Sequence, residues 1–274
     1  MNNTIHMLEG VTGTQMNSFI ITTADGKVIV IDGGYDQDAE NTINYLKNVT
    51  GRDVPHVDAW ILSHPHMDHI SAFLQIMETM PEAVEVDQVW YNFPSLQFIT
   101  QNQPWADPCL ARFYKDLPRF ADKILVVSKG DTLDVGDAHF ECIYSPNPEL
   151  HMNVTNNASL VLKMTLGGKS VMWLGDAGVE EGDRMLACYE GTDKMKADYV
   201  QMAHHGQNGV EKRVYEAIAP TGCLWNTPKW LWDNDAGLGY NTHGWKTIEV
   251  QGWMADIGVK EHYVTMNGNQ VIDL

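Results

Sequence analysis

The sequence predicts an α/β protein built as a four-layer αββα sandwich, two facing sheets with helices on both outer surfaces. Three observations carry that expectation. Short apolar runs rich in Val, Ile and Leu recur along the chain at strand length. Strands dominate first, and helix-length segments are then interleaved among the later ones. No repeat, low-complexity tract or linker-like shift in composition divides the 274 residues, so residues 1–274 read as a single domain.

Residues 18–23 (SFIITT) and 27–32 (KVIVID) are the first strands, with Asp25-Gly26 as the hairpin turn between them. A helix is expected over 37–49, a strand over 57–62 and a second helix over 70–79. Residues 92–120, rich in aromatics (Trp105 among them) and proline, suit a partly helical insertion. Strands follow at 123–127, 139–144, 159–165 and 170–174, the last two joined at Gly167-Gly168. A strand at 198–203, a helix from 210, a strand at 222–226 and a helix at 244–257 come next. Strands at 261–266 and 270–273 would close the chain as a hairpin turned by Asn267-Gly268.

Composition narrows the function classes. With 44% hydrophobic and 20% charged residues the chain is an ordinary globular one, and a protein this long buries roughly 70–75% of its unfolded surface. The four cysteines (Cys109, Cys142, Cys188, Cys223) form no Cys-x-x-Cys pair, which favours free thiols. No apolar run reaches the roughly 20 residues of a membrane span, and no signal-peptide pattern opens the chain, so a cytoplasmic location is expected. A net charge of −18 works against extended nucleic-acid binding, which depends on Lys and Arg. A small-molecule or phosphodiester substrate stays compatible, because two divalent cations add about +4 inside a site. Oligomeric state has no signal in the sequence.

The chemistry is concentrated in His64-Pro-His66-Met-Asp68-His69, directly after the apolar run 57–62. Imidazole and carboxylate together suit Zn, Mn or Fe. In a loop at a strand end, His64 and His66 can point one way, and Asp68 and His69 toward a neighbouring cation. A solvated loop rich in histidine by chance is the competing reading, and three imidazoles in six residues argue against it. Asp176, in Leu174-Gly-Asp176-Ala-Gly178, would alone be no more than a turn former. His204-His205-Gly206 and Asp32-Gly33-Gly34 are equally ordinary in isolation. Their weight comes from order: each of the four motifs closes a separate apolar strand.

That ordered set resembles the metallo-β-lactamase-fold hydrolase superfamily. Within it the sequence is most similar to the hydrolase domain of the competence protein ComEC, over about residues 4–274. The shared pattern is Asn156-Asn157-Ala-Ser-Leu-Val-Leu162, Leu174-Gly-Asp176, His204-His205-Gly206, Asn241-Thr-His243 and Tyr263-Val-Thr265. The resemblance implies that His64 and His66 hold a first cation, that Asp68, His69 and His205 hold a second, and that Asp176 bridges them. Asp32 would orient a ligand by hydrogen bond. His205 is preferred to its neighbour because Gly206 follows it, leaving His204 beside the site or the substrate. The family's third histidine of the first cation falls just before the Ser-Leu-Val-Leu strand, where this chain offers Asn157, or His151 a few residues earlier. His243 aligns with a position near the site mouth and is a candidate substrate contact. The aromatic stretch from Trp225 to Trp232 would either wall the pocket or pack on itself.

Two divalent cations, Zn in the first instance with Mn or Fe accepted, lower the pKa of a shared water from 15.7 toward about 7. Asp68 is then the candidate catalytic residue, orienting that water or taking its proton. Such a pair also stabilises a leaving oxygen, which favours a phosphodiester. A lactone or acyl ester hydrolase is the alternative, and a non-catalytic metal-binding sensor or scaffold of the same fold is another. True β-lactamase activity is disfavoured, because those enzymes generally lack a histidine at the position of His69.

Overall fold

The computed structural model describes residues 1–103 and 108–274. Trp105 lies outside the described residues. Strands β1 (Thr4–Met7), β2 (Ser18–Thr22) and β3 (Val28–Asp32) form an antiparallel meander. The chain then winds through α1 (Ala39–Thr50), β4 (His56–Ile61), α2 (Met67–Thr79) and β5 (Glu85–Tyr91). Helices α3 (Leu96–Asn102) and α4 (Pro108–Asp116) lead to β6 (Ile124–Val126), and β3 through β6 run parallel.

The second sheet repeats this logic. Strands β7 (Thr132–Val135), β8 (Ala138–Tyr144), β9 (Val161–Leu166) and β10 (Lys169–Trp173) are antiparallel neighbours. After α5 (Val179–Tyr189) come β11 (Tyr199–Gln201), α6 (Lys212–Ile218), β12 (Gly222–Trp225), α7 (Lys229–Trp232), α8 (Thr247–Ile257) and β13 (Glu261–Val264), with β10 through β13 parallel. The last strand, β14 (Gln270–Asp273), returns to the first sheet and pairs antiparallel with β1. Among the described residues each sheet therefore has seven strands.

The expected four layers are present, and side-chain alternation builds them. Along β3, Ile29 and Ile31 enter the core between the sheets, while Val28 and Val30 face the α1–α2 side. Along β10, Val171 and Trp173 enter the same central core, and Met172 packs under α5, α6 and α8. Strands buried on both faces read as continuous apolar runs, which is why these were visible in the sequence.

Two expectations need correcting. The closing hairpin does not form: β13 pairs with β12, and the Thr265–Asn267 turn carries the chain across to the other sheet. There Ile272 sits opposite Ile5, both buried in the central core, a gain that pairing with the half-exposed β13 would not give. The second helix also begins earlier than residue 70, at Met67, so Asp68 and His69 lie in its first turn rather than in a loop. Negative charge is favourable at a helix N-terminus, which suits Asp68 there. Strands β1, β5 and β7 and helix α5 gave no clear sequence signal; β5, for example, interrupts its apolar residues with exposed Glu85, Asp87 and Gln88.

Among the described residues no cysteine forms a disulfide; Cys109, Cys142 and Cys223 are buried and Cys188 is exposed. Among the described residues no helix is long and apolar enough to cross a membrane.

Candidate metal centre

The parallel strands of both sheets end at one edge of the sandwich, where an open α/β sheet ordinarily places its ligands. Asp32 ends β3, and Trp173 and Gln201 end β10 and β11 side by side. Asp32 has a left-handed backbone (φ 58°) and a fully buried carboxylate. That carboxylate accepts hydrogen bonds from Asn17 Nδ2 (2.7 Å), the Ser63 amide (2.8 Å), Ser63 Oγ (2.7 Å) and His69 Nδ1 (2.7 Å). The bond to His69 fixes its tautomer and turns Nε2 away from Asp32 into the site.

The other imidazoles are pinned in the same way. Ser63 Oγ lies 3.1 Å from His64 Nδ1, and His64 Nε2 lies 3.1 Å from His66 Nδ1. His205 Nδ1 donates to the Asn226 carbonyl at 3.2 Å, while Thr227 Oγ1 donates to the His205 carbonyl at 2.6 Å. His204 and His205 both adopt left-handed backbone conformations (φ 51° and 56°) and Gly206 continues the turn at φ 80°. The turn presses Gly206 so close to the Trp225 ring that a Cβ would not fit. Asp176 is held from behind, its amide donating to Ser159 Oγ at 3.0 Å.

These side chains converge. His64, His66 and Asp176 place one donor atom each within 4.8 Å of one another, and so do Asp68, His69 and His205. Asp176 stands between the groups: His69 Nε2 is 3.2 Å from its Oδ1, while His64 and His205 Nε2 are 3.6 and 3.7 Å from its Oδ2. His205 Nε2 is also 3.2 Å from Asp68 Oδ2. Yet His69 Nε2, His205 Nε2 and Asp176 Oδ1 are buried without a hydrogen-bond partner. Buried polar atoms are rarely left so. These three unpartnered atoms are aimed at points they share with the neighbouring donors, and the imidazole and carboxylate donor set fits divalent cations at those points.

A family model, the Metallo-beta-lactamase superfamily, matches residues 11–148, about half of the chain. The chain belongs to that superfamily. Among curated proteins none matches it. Solved structures of the same fold include CmlA, a diiron beta-hydroxylase from Streptomyces venezuelae, at TM-score 0.61 and 13% identity. All of this chain is covered in that comparison, but it spans only 54% of CmlA. The metallo-beta-lactamase fold protein YhfI from Bacillus subtilis aligns at TM-score 0.55 and 12% identity, over 98% of this chain and 99% of that one. A diphosphatase of the PhnP family aligns at TM-score 0.50 and 12% identity, over 100% and 98%. At such identities the likeness is one of fold.

Electrostatics at this superfamily site follow from burial opposed by neighbouring charge. Burial raises the Asp176 carboxyl, but His69, His205, His204 and His64 outweigh it and hold the group well below the usual carboxylate range. Asp68 is likewise depressed, with burial overcome by His205 and His69. Burial lowers His69, yet Asp176 and Asp32 carry it well above the usual imidazole value. His64, buried and beside His69, is driven well below. The two carboxylates are thus kept anionic where cations would sit.

Other residues singled out in the sequence do not join the cluster. His151 is exposed, its Nδ1 2.9 Å from Asn102 Oδ1. Asn157 caps α5 instead of facing the centre: its Oδ1 accepts from the amides of Gly178 and Glu181, both at 3.1 Å. His243 is exposed and stacks on Trp245 with ring centroids 3.4 Å apart. Trp225 is core, packed edge-on against Trp232. A third group, His56, Asp58 and Asp87, lies at the opposite strand ends. There both His56 ring nitrogens already face carboxylates (Asp87 at 3.0 Å, Glu85 at 3.4 Å) and Asp58 binds Lys27 at 2.9 Å. Sequence reasoning missed the supporting residues Asn17, Ser63, Asn226 and Ser159. Of these only Ser63 carries a local signal, its place immediately before His64.

Proposed function

We propose that this protein is a two-cation hydrolase of phosphodiesters, with His64, His66 and Asp176 around one cation, Asp68, His69 and His205 around the other, and Asp176 shared. The observation that carries this reading is Asp176, a buried carboxylate that belongs to one three-residue donor group, lies 3.2 and 3.7 Å from His69 and His205 of the other, and has its Oδ1 left unpartnered. Two bound divalent cations would supply a water of pKa about 7 as nucleophile and would stabilise charge on the leaving oxygen. Asp68 contributes a carboxylate on the first turn of α2, 3.2 Å from His205 Nε2. From there it would orient that nucleophile or take its proton. Asp32 and Ser63 keep the His69 and His64 rings from rotating.

The phosphodiester preference draws on the likeness of residues 156–162, 174–176 and 204–206 to the hydrolase domain of ComEC. A PhnP-family diphosphatase is also among the structures sharing this fold. The net charge of −18 favours a small substrate over a nucleic-acid polymer.

The test is an assay of wild type and Asp68→Ala, loaded in turn with Zn, Mn and Fe, on bis(p-nitrophenyl) phosphate and on a lactone panel. Wild type should turn over the phosphodiester, and Asp68→Ala should lose about 10²-fold or more in kcat. Turnover of lactones alone would replace this reading with an acyl hydrolase. Full cation loading with no turnover would leave a metal-binding sensor.

A further inference from the structure

The geometry points to His204 as the fourth protein ligand of the cation assigned to His64, His66 and Asp176. The assignment rests on the two-cation reading above and adds to it a residue that the sequence left merely beside the site.

Three of the converging imidazoles share a two-sided arrangement. In His64, His69 and His205, Nδ1 is engaged from behind (by Ser63 Oγ, Asp32 and the Asn226 carbonyl), and Nε2 is aimed at Asp176. That is the posture of a metal-ligating histidine, whose second nitrogen is held by a hydrogen-bond acceptor. His204 repeats it. Its Nδ1 donates to the Asn208 carbonyl at 3.2 Å, which leaves the lone pair on Nε2. That Nε2 lies 3.8 Å from Asp176 Oδ2 and 3.4 Å from the donor Asn156 Nδ2.

The backbone supports the same role. Neighbouring residues of an extended chain point to opposite sides. His204 (φ 51°, ψ 49°) and His205 (φ 56°, ψ 22°) instead take successive left-handed conformations, which bring both Nε2 atoms within 3.8 Å of the same oxygen. Side chains other than glycine adopt that conformation at a cost, and such strain gathers at functional sites. The His204 amide donates to the Gly175 carbonyl at 3.1 Å, tying the turn to the segment that presents Asp176.

Donor count decides which cation His204 serves. Asp68, His69, His205 and Asp176 already make four donors, a complete tetrahedral set. His64, His66 and Asp176 make three. His151 does not fill the gap, being exposed and bonded to Asn102.

The test is a titration of the metal-free protein with Zn²⁺, read by competition with a chromophoric chelator, and with Co²⁺, read by visible absorption. Wild type is compared with His204→Gly, which keeps the left-handed turn and removes the ring, and with His66→Ala and His205→Ala as markers of the two sites. His204→Asn, which also tolerates this backbone, serves if glycine loosens the turn, and circular dichroism checks the fold of each. His204→Gly should retain one tight equivalent and weaken the other by about tenfold or more. The weakened equivalent should be the one lost in His66→Ala, with its Co²⁺ bands altered. Two equivalents of wild-type affinity and an unchanged Co²⁺ spectrum would overturn the assignment and leave the two-cation reading standing. Weakening of the His205-marked equivalent instead would also overturn it. Wild type taking up fewer than two equivalents would overturn both.

Discussion

Asp32 Oδ2 and His69 Nδ1, 37 positions apart in the chain, share a 2.7 Å hydrogen bond buried beneath the candidate metal centre. The same carboxylate takes two further bonds from Ser63, so one side chain sets the posture of the His69 ring and of the segment that carries His64. Asp32→Asn keeps a residue that tolerates φ near 58° but replaces an acceptor oxygen with a donor. It should weaken cation binding by about 10–100-fold while leaving the fold intact. Metal titration alongside circular dichroism measures this, and an unchanged affinity would show that Ser63 alone orients the ring.

Removing cations should destabilise the protein. Asp68 and Asp176 are both held anionic in the buried cluster, and the field that cations would supply is otherwise met only by imidazoles. Saturation to a hundred times the dissociation constant would add about 2.7 kcal/mol. Thermal melts in chelator and in excess Zn²⁺ should therefore differ by several degrees. Coincident melts would count against bound cations in the native state.

Gly206→Ala should be among the most damaging small substitutions outside the His and Asp cluster itself. Gly206 sits at φ 80° with its missing Cβ facing the Trp225 ring, which is buried and cannot swing away. A cost of about 2 kcal/mol or more is expected from strain and overpacking together. Gly244→Ala, at a position with open space, is the control and should be near neutral. Chemical denaturation of the two variants gives the comparison directly.

Glu181 makes stability depend on pH. It lies in the first turn of α5, fully buried, with neither carboxyl oxygen hydrogen-bonded among the described residues. Burial holds it well above its ordinary value of 4.5, and the nearby Ser159 amide offsets only part of that. Below pH 4.5 the group is protonated folded or unfolded, and its full contribution to stability is present. As pH rises, the unfolded chain ionises first, and stability falls by up to about 1.4 kcal/mol per pH unit until the folded group ionises too. Glu181→Gln lacks that slope. In metal-free protein its stability relative to wild type should climb as pH rises above 4.5 toward neutrality, and parallel curves would sink the idea.

His151→Ala should change neither cation stoichiometry nor turnover, because its ring is turned to Asn102 and solvent. A lost equivalent in that variant would bring His151 back as a ligand and put the role given to His204 in doubt.

The sequence by itself determined the layered architecture and pointed to most of the imidazoles and carboxylates that converge at one edge. Strands such as β3 and β10 bury both faces, and that requirement writes an unbroken apolar run into the chain. His64, His66, Asp68 and His69 announce themselves because so many costly ligand-type residues in six positions have no packing use. Tertiary structure alone decided the rest. Two neighbouring histidines, His204 and His205, both face Asp176 only because the backbone turns left-handed twice, which no local pattern spells out. His151, which the resemblance made a candidate, lies out in solvent, and Asn157 spends its side chain capping α5. Asn17, Ser63 and Asn226 hold Asp32 and His205 in place, and β14 leaves its apparent hairpin partner to bury Ile272 beside Ile5. Each of these outcomes depends on contacts between distant parts of the chain, where the energy of a hydrogen bond or a buried side chain is set by a partner the local sequence does not contain.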